Sequence, residues 1–385
     1  MTAGWDSRPY PKIPGVPRVS SSSSRRAFLS SSAAVVAAAT LRGQSGAGKP
    51  APVILPRPVA LGFDNFAVRG SNWKAMRLLE YASTIGVDSV FISDLDAFES
   101  LEEPALQKLR EEATARHLSI NVGTWSVCPT SKAFRPANGT AEEQLTKAIR
   151  TAHAVGSPVI RVVLGTWEDR LTPGGIGRHI DSLVAVLKGG RSQALDAGVK
   201  IAVENHAGDM RADELAALVE MAGRDFVGVN YDSGNSLWTL ENPLDALEVL
   251  APYIVTTSLR DGVVTEIPTG CRVKWTAMGD GQVDFVHFMP RFAELCPGVP
   301  IHIETISGVG RDLPFLEDAF WSAWPRLEGQ SLAKFLRVMR RKAPMAATTT
   351  KPNDPAEQRR ELERSLAYCK QTLGLGLRTT KVGPA

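Results

Sequence analysis

From Val59 onward, short apolar runs rich in β-branched residues alternate with longer segments whose apolar positions recur every three or four residues. A strand covered on both faces reads as a continuous apolar run, so this alternation marks repeated strand–helix units around a parallel sheet. The runs are Val59–Phe63, Ser89–Ser93, Ser119–Gly123, Val159–Leu164, Lys200–Glu204, Phe226–Tyr231, Ile254–Leu259 and Pro300–Glu304. Between them, Thr140 with Glu143 three residues on forms a capping box that starts a helix over Ala141–Val155. Met76, Leu79 and Ala82 share one face of a second helix, Lys74–Ile85. Gly86, Gly156 and Gly198 stand where helices give way to the next strand, a position that takes left-handed backbone. Eight such units predict an α/β fold, a (β/α)8 barrel over residues 59–328. An open doubly wound sheet is disfavoured, because Gly62-Phe63-Asp64-Asn65 lacks the glycines of a dinucleotide-binding turn.

The pattern fails at both ends. Residues 1–58 read as a disordered leader, export signal and linker: a Pro- and Ser-rich start, then Ser24-Arg25-Arg26-Ala27-Phe28-Leu29, then a mild apolar run over Ala33–Ala39. A basic start, a short apolar stretch and small residues suited to cleavage make an address rather than a span, since crossing a bilayer takes roughly 20 apolar residues. The paired arginines followed by Phe-Leu resemble a twin-arginine signal. That resemblance implies the twin-arginine export machinery as a partner, a periplasmic or otherwise exported location, and no stable membrane span after signal removal. Residues 329–385 form a basic and polar C-terminal helical extension with one charged helix over Ala356–Thr372, packed outside the barrel or loosely attached.

Composition narrows the classes. At 43% hydrophobic and 22% charged, the 385-residue chain has enough apolar residues for a large core. The net charge is +3, with excess arginine and lysine near the two ends and no basic stripe interleaved with aromatics, so nucleic acid is not an expected partner. Cys128, Cys271, Cys296 and Cys369 show no zinc-type spacing and read as buried small hydrophobes.

In such barrels the active end is where the strands finish. The fifth run finishes in Glu204-Asn205-His206, the sixth in Asp232-Ser233-Gly234-Asn235, the seventh in Ser258-Leu259-Arg260-Asp261 and the eighth in Glu304-Thr305. Carboxylates converging from apolar runs are costly unless a cation, a proton or a basic group compensates. Oxygen ligands of this kind favour a divalent metal: magnesium, manganese or calcium, with zinc admitted if histidine joins.

These motifs, together with Gly279-Asp280-Gly281-x-Val283-Asp284-Phe285 and Ile303-Glu304, resemble the xylose isomerase-like TIM barrels, a family of sugar isomerases, sugar epimerases and apurinic endonucleases. The resemblance covers about Val59 to Leu327 and is specific for the superfamily rather than for a reaction. It implies that Glu204 and Glu304 both bind metal and exchange substrate protons, with Asp232 a further ligand. It also exposes two departures: family members commonly carry histidine where Ser258 and Asn235 stand here. Serine is a poor neutral ligand, which leaves His206 or Ser258 itself to complete the set. His302 alternates with Glu304 across Ile303 and lies deeper in the barrel. The endonuclease reading fails on six histidines, few of them at strand ends.

Trp125 and Trp167 each follow Gly-Thr at the ends of the third and fourth runs, where an indole can stack on a sugar ring. His206, Asn235 and Arg260 join them as candidate substrate contacts, although pairing with Asp261 is the expected role of Arg260. The Thr265–Met278 insertion is long enough to cover the mouth. The chemistry expected is isomerisation or epimerisation of a small-molecule carbohydrate, a sugar or keto-sugar. A 3-keto-glycoside lyase using the same first step and a non-catalytic sugar-binding barrel are the alternatives. The sugar, its phosphorylation and the oligomeric state, a homo-oligomer included, stay open.

Overall fold

A computed structural model describes residues 52–341 and 353–378. The leader with its paired arginines lies outside the described residues. In chain order the strands are β1 (Leu61–Asp64), β2 (Ser89–Ile92), β3 (Ser119–Ser126), β4 (Val159–Val163), β5 (Lys200–Glu204), β6 (Val227–Tyr231), β7 (Ile254–Thr257), β8 (Asp261–Ile267), β9 (Gly270–Thr276), β10 (Ile301–Ile303) and β11 (Gly310–Leu313). The helices are α1 (Ala75–Ile85), α2 (Glu103–Ala115), α3 (Ala141–Ala154), α4 (Gly175–Gly189), α5 (Arg191–Asp196), α6 (Ala212–Ala222), α7 (Ser233–Trp238), α8 (Pro243–Leu250), α9 (Phe285–Leu295), α10 (Gly329–Met339) and α11 (Pro355–Gln371).

Eight parallel strands run in the order β10-β1-β2-β3-β4-β5-β6-β7. Leu259, just past β7, closes the ring: its N–H donates to the His302 carbonyl at 2.7 Å, and its own carbonyl accepts from Glu304 N–H at 2.9 Å. All eight expected strands are present, each within a few residues of its predicted bounds. They are legible because each is a run almost wholly removed from water, as the fully buried β4 and β6 show. The Thr140–Glu143 capping box forms as expected. On α1 the buried face is Ala75, Leu78, Leu79 and Ala82; Met76 sits at its edge, half-buried.

Two features lie outside the simple repeat. Between β7 and α9 the chain folds into the β8–β9 hairpin, which β11 extends into a three-stranded antiparallel sheet. With α7 and α10 it encloses a second core of Leu237, Trp238, Val273, Trp275, Leu313 and Phe335 among others. The expected covering insertion is this hairpin. Helix α11 then takes the place of the eighth outer helix, flanked by α1 and the turn before α9. Glu363 accepts from Tyr81 at 2.9 Å, Lys370 donates to the Ile85 and Gly86 carbonyls, and the Ser365 hydroxyl accepts from Met278 N–H at 3.1 Å. All four cysteines are free and buried, and no described helix is long and apolar enough to cross a membrane.

Candidate active site

Four acids reach the C-terminal end of the barrel because each ends a buried strand or directly follows one. Asp64 ends β1, Glu204 ends β5, Asp232 follows β6 and Glu304 follows β10. None is more than 5% exposed. Glu204, Asp232 and Glu304 each offer an oxygen within 4.8 Å of the others, and among the described residues His206 does not join them.

Buried carboxylates this close require compensation. Arg161, in the middle of β4, places Nε 3.1 Å from Glu204 Oε2 and donates through Nη1 to the Thr124 carbonyl at 2.8 Å. Arg260 Nη2 bridges Asp232 Oδ2 and Glu304 Oε2. This replaces the expected pairing of Arg260 with Asp261. Neighbours on an extended chain point to opposite sides: Arg260 turns into the barrel, and Asp261 turns out to the loop before α9. There the Asp261 carboxylate accepts backbone N–H groups from Gly262, Gly279, Gly281 and Val283 at 2.8–3.1 Å. Gly281 is required for that approach, since a Cβ there would lie 2.1 Å from Asp261 Oδ1.

The electrostatics follow from this packing. Burial raises the Asp232 pKa to about 7, against the pull of Arg260 and with a further push from Glu204. Burial likewise holds Glu304 well above the usual carboxylate range; Arg260 opposes it, while Asp64, Glu204 and Asp232 add to it. Asp64 is raised by burial against Arg161 and the 2.6 Å hydrogen bond from Ser93. Burial also works against the charge of Arg260, but Asp232, Glu304 and Glu204 outweigh it and hold the guanidinium firmly protonated.

Amides fix the carboxylates in orientation. Asn235 Nδ2 donates to Asp232 Oδ2 at 2.9 Å and Glu204 Oε1 at 3.2 Å. Asn230 Nδ2 donates to Glu204 Oε2 at 3.0 Å and Ser258 Oγ at 3.2 Å. Both asparagine Oδ1 atoms are buried without a donor. Asp232 also caps α7, accepting from the N–H groups of Gly234 and Asn235. Ser258 donates to Asp64 Oδ2 at 3.4 Å.

The other sequence candidates lie toward the rim. His206 Nδ1 is 2.6 Å from the Gly165 carbonyl; a carbonyl only accepts, so Nδ1 carries the proton and Nε2 is left as an acceptor. Burial lowers the pKa of this ring, which keeps it neutral. Trp125 packs edge-on to His206 at 5.3 Å and donates to the Ala133 carbonyl at 2.8 Å. Trp167 is half-buried beneath Arg311, whose guanidinium lies 4.0 Å from the ring centre. His302 lies deep, between Ser89 Oγ at 3.0 Å and the Thr257 carbonyl at 3.2 Å, with its pKa lowered by burial to about 3.

Asp64, Arg161 and Asn230 escaped the sequence reading. Each carried a signal, being a polar residue within or closing an apolar run, the same signal that marked Glu204.

The donor set fits a divalent cation. Four buried carboxylates face two guanidiniums, the raised proton affinity of Asp64, Asp232 and Glu304 marks a shortage of positive charge, and Asn235 Oδ1 adds an unengaged hard oxygen beside them.

Known proteins of similar sequence and fold agree with the barrel. A model of the xylose isomerase-like TIM barrel family matches residues 79–323, and the chain belongs to that family. Over 184 residues it is 22% identical to the 3-oxo-isoapionate decarboxylase of Pectobacterium atrosepticum, covering 48% of this chain and 59% of that one. The chain spans less than two thirds of the length of the curated relatives it matches. Among solved structures it is similar to a D-psicose 3-epimerase crystallised with D-fructose: TM-score 0.54, 16% identity, 82% of this chain and 99% of that one. It is also similar to the IolI protein with a bound zinc: TM-score 0.51, 16% identity, 74% and 100% covered.

Proposed function

We propose that this protein is an isomerase or epimerase of a sugar or keto-sugar, moving a proton beside a carbonyl with Glu204 and Glu304. The observation that carries the reading is the convergence of three buried carboxylates at the active end of the barrel, gripped by two arginines. Glu304, whose affinity for a proton is raised by burial, holds the transferred proton on one side of the substrate, and Glu204 serves the other. Arg260 keeps a permanent positive charge against Glu304 and Asp232, beside the oxygen that becomes negative as the carbon is deprotonated. Asn235 and Asn230 hold the carboxylates in register, and Trp125 and Trp167, half-buried at the rim, offer apolar surface to a pyranose or furanose. Manganese, magnesium, calcium or zinc would be held by Glu204, Asp232 and Glu304, and when bound supplies a Lewis acid for the carbonyl. The same deprotonated stage opens onto elimination, and loss of CO2 from a 3-keto acid would reach a like enolate by breaking a C–C bond in place of the C–H bond; the likeness to 3-oxo-isoapionate decarboxylase supports a keto substrate. Export through the Ser24–Leu29 segment is proposed on the sequence, its test the cell fraction that holds the chain.

The test is deuterium wash-in from D2O into a panel of ketoses and keto-sugars. Wild type should exchange the proton beside the carbonyl, and Glu204→Gln and Glu304→Gln should each lose about 10²–10⁴-fold. Full turnover by Glu304→Gln would end the assignment.

A further inference from the structure

Among the described residues, Arg311 stands at the mouth with a buried nitrogen and no counter-ion. Arg161 faces Glu204, Arg170 faces Glu214, Arg211 faces Glu241, and Arg260 faces Asp232 and Glu304. Among the described residues, no carboxylate lies within ion-pairing distance of the Arg311 guanidinium, and its Nη1 has no hydrogen-bond partner. It enters from β11, where it lies opposite Val273. The next residue, Asp312, points the other way and pairs with Arg272 at 2.5 and 2.8 Å, so strand alternation turns Arg311 toward the barrel.

The slot that receives it is built for a flat cation. The guanidinium lies over Trp167, just past β4, and its Nη1 rests against Gly208, just past β5. A Cβ at Gly208 would lie 2.8 Å from Nη1 and 3.2 Å from Trp167 Cβ, and Gly208 has φ +80°, so the loop is bare where the arginine passes. Nη1 itself is buried without an acceptor. Burial and the nearby charge of Arg170 lower the Arg311 pKa to about 10, with Glu168 alone pulling the other way. Enclosing an unpaired donor and charge is unfavourable. The cost is recovered when a ligand brings the acceptor, and a planar guanidinium matches carboxylate or phosphate oxygens in pairs. Only three residues separate Gly208 from Glu204, which keeps their Cα atoms within about 14 Å even at full stretch, so one small molecule can meet both.

We propose that Arg311, stacked on Trp167 and lodged against Gly208, binds an anionic group of the substrate, making the substrate class a sugar acid or a sugar phosphate. This rests on the reading of the carboxylate site as one that holds a sugar. The experiment is calorimetric titration of the folded chain with D-gluconate, D-fructose 6-phosphate, inorganic phosphate and D-fructose, for wild type, Arg311→Gln and Arg311→Lys, each checked for an unchanged melting curve. Wild type should bind a sugar anion at least 10-fold tighter than D-fructose. Arg311→Gln should erase that preference and leave D-fructose unchanged. Arg311→Lys should keep part of it, because an ammonium supplies the charge without the paired donors. Preference for gluconate identifies a carboxylate; preference for fructose 6-phosphate with binding of phosphate alone identifies a phosphate. No preference in wild type, or a preference that survives Arg311→Gln, overturns the proposal. Glu304→Gln separates the two readings: it should end proton exchange yet keep the anion preference, so either conclusion can fall without the other.

Discussion

The mouth of this barrel has two unlike halves. Over β6, β7 and β10 the chain returns as the hairpin, β11 and α10, and the polar groups beneath are sealed: Asp232, Asn235, Ser258 and Arg260 are at most 2% exposed. Trp275 closes that side, stacked on Trp238 at 4.2 Å and lying over Arg260 at 4.3 Å. Over β3, β4 and β5 the cover is looser: Arg311 reaches across from β11 onto Trp167, and Trp125, Trp167, His206 and Arg311 are half-buried at the rim. The acids with raised proton affinity, Asp232 and Glu304, sit where water is excluded and share Arg260. The groups proposed to meet a ligand sit at the rim, where Arg311 has no carboxylate partner among the described residues. The difference separates chemistry from recognition, and it can be tested by asking which half carries stability.

The largest effect is expected at Arg260. Arg260→Ala strands two buried carboxylates and should cost about 3–5 kcal/mol in urea unfolding, whereas Arg311→Gln should leave stability nearly unchanged. Equal losses from the two would erase the distinction. Metal comes next. Protein purified without chelator should carry one equivalent of divalent ion by elemental analysis, absent from Glu204→Gln/Asp232→Asn. An ion at 100-fold over its Kd should add about 2.7 kcal/mol of stability, and a metal content unaffected by those two substitutions would place the ion elsewhere. The smallest effect belongs to the open rim. Trp125→Phe forfeits one hydrogen bond, to Ala133, worth about 1 kcal/mol, and should weaken sugar binding more than folding. The reverse order would make Trp125 a packing residue.

The barrel and three of its four buried acids could be read from the chain because both rest on local signals: apolar runs, and a charge that ends one. Partner choice could not. Arg260 stands beside Asp261 in sequence and turns from it in space, since strand alternation and the bare turn at Gly281 decide which carboxylate it meets. Asp64 was read only for the glycines missing around it, and Arg161 looked like an interruption of an apolar run until β4 stood next to β5. Helix α11 is so polar and charged that its sequence suggests an appendage; what holds it in the ring is a narrow seam of Leu362, Ser365, Leu366 and Cys369.

That seam governs when the protein can finish folding. Strand β1 and helix α1 leave the ribosome early, yet α11, which lies along them, lies some 300 residues further on. The backbone just after α11 returns to the start of the barrel, where Gly376 N–H donates to the Val59 carbonyl at 2.9 Å. At roughly 5–20 residues per second, the first βα unit waits on the order of tens of seconds with one flank bare. Vectorial synthesis therefore leaves the β1 and α1 flank of this barrel uncovered until α11 arrives, and nascent chains stopped before Pro355 should remain protease-sensitive along α1.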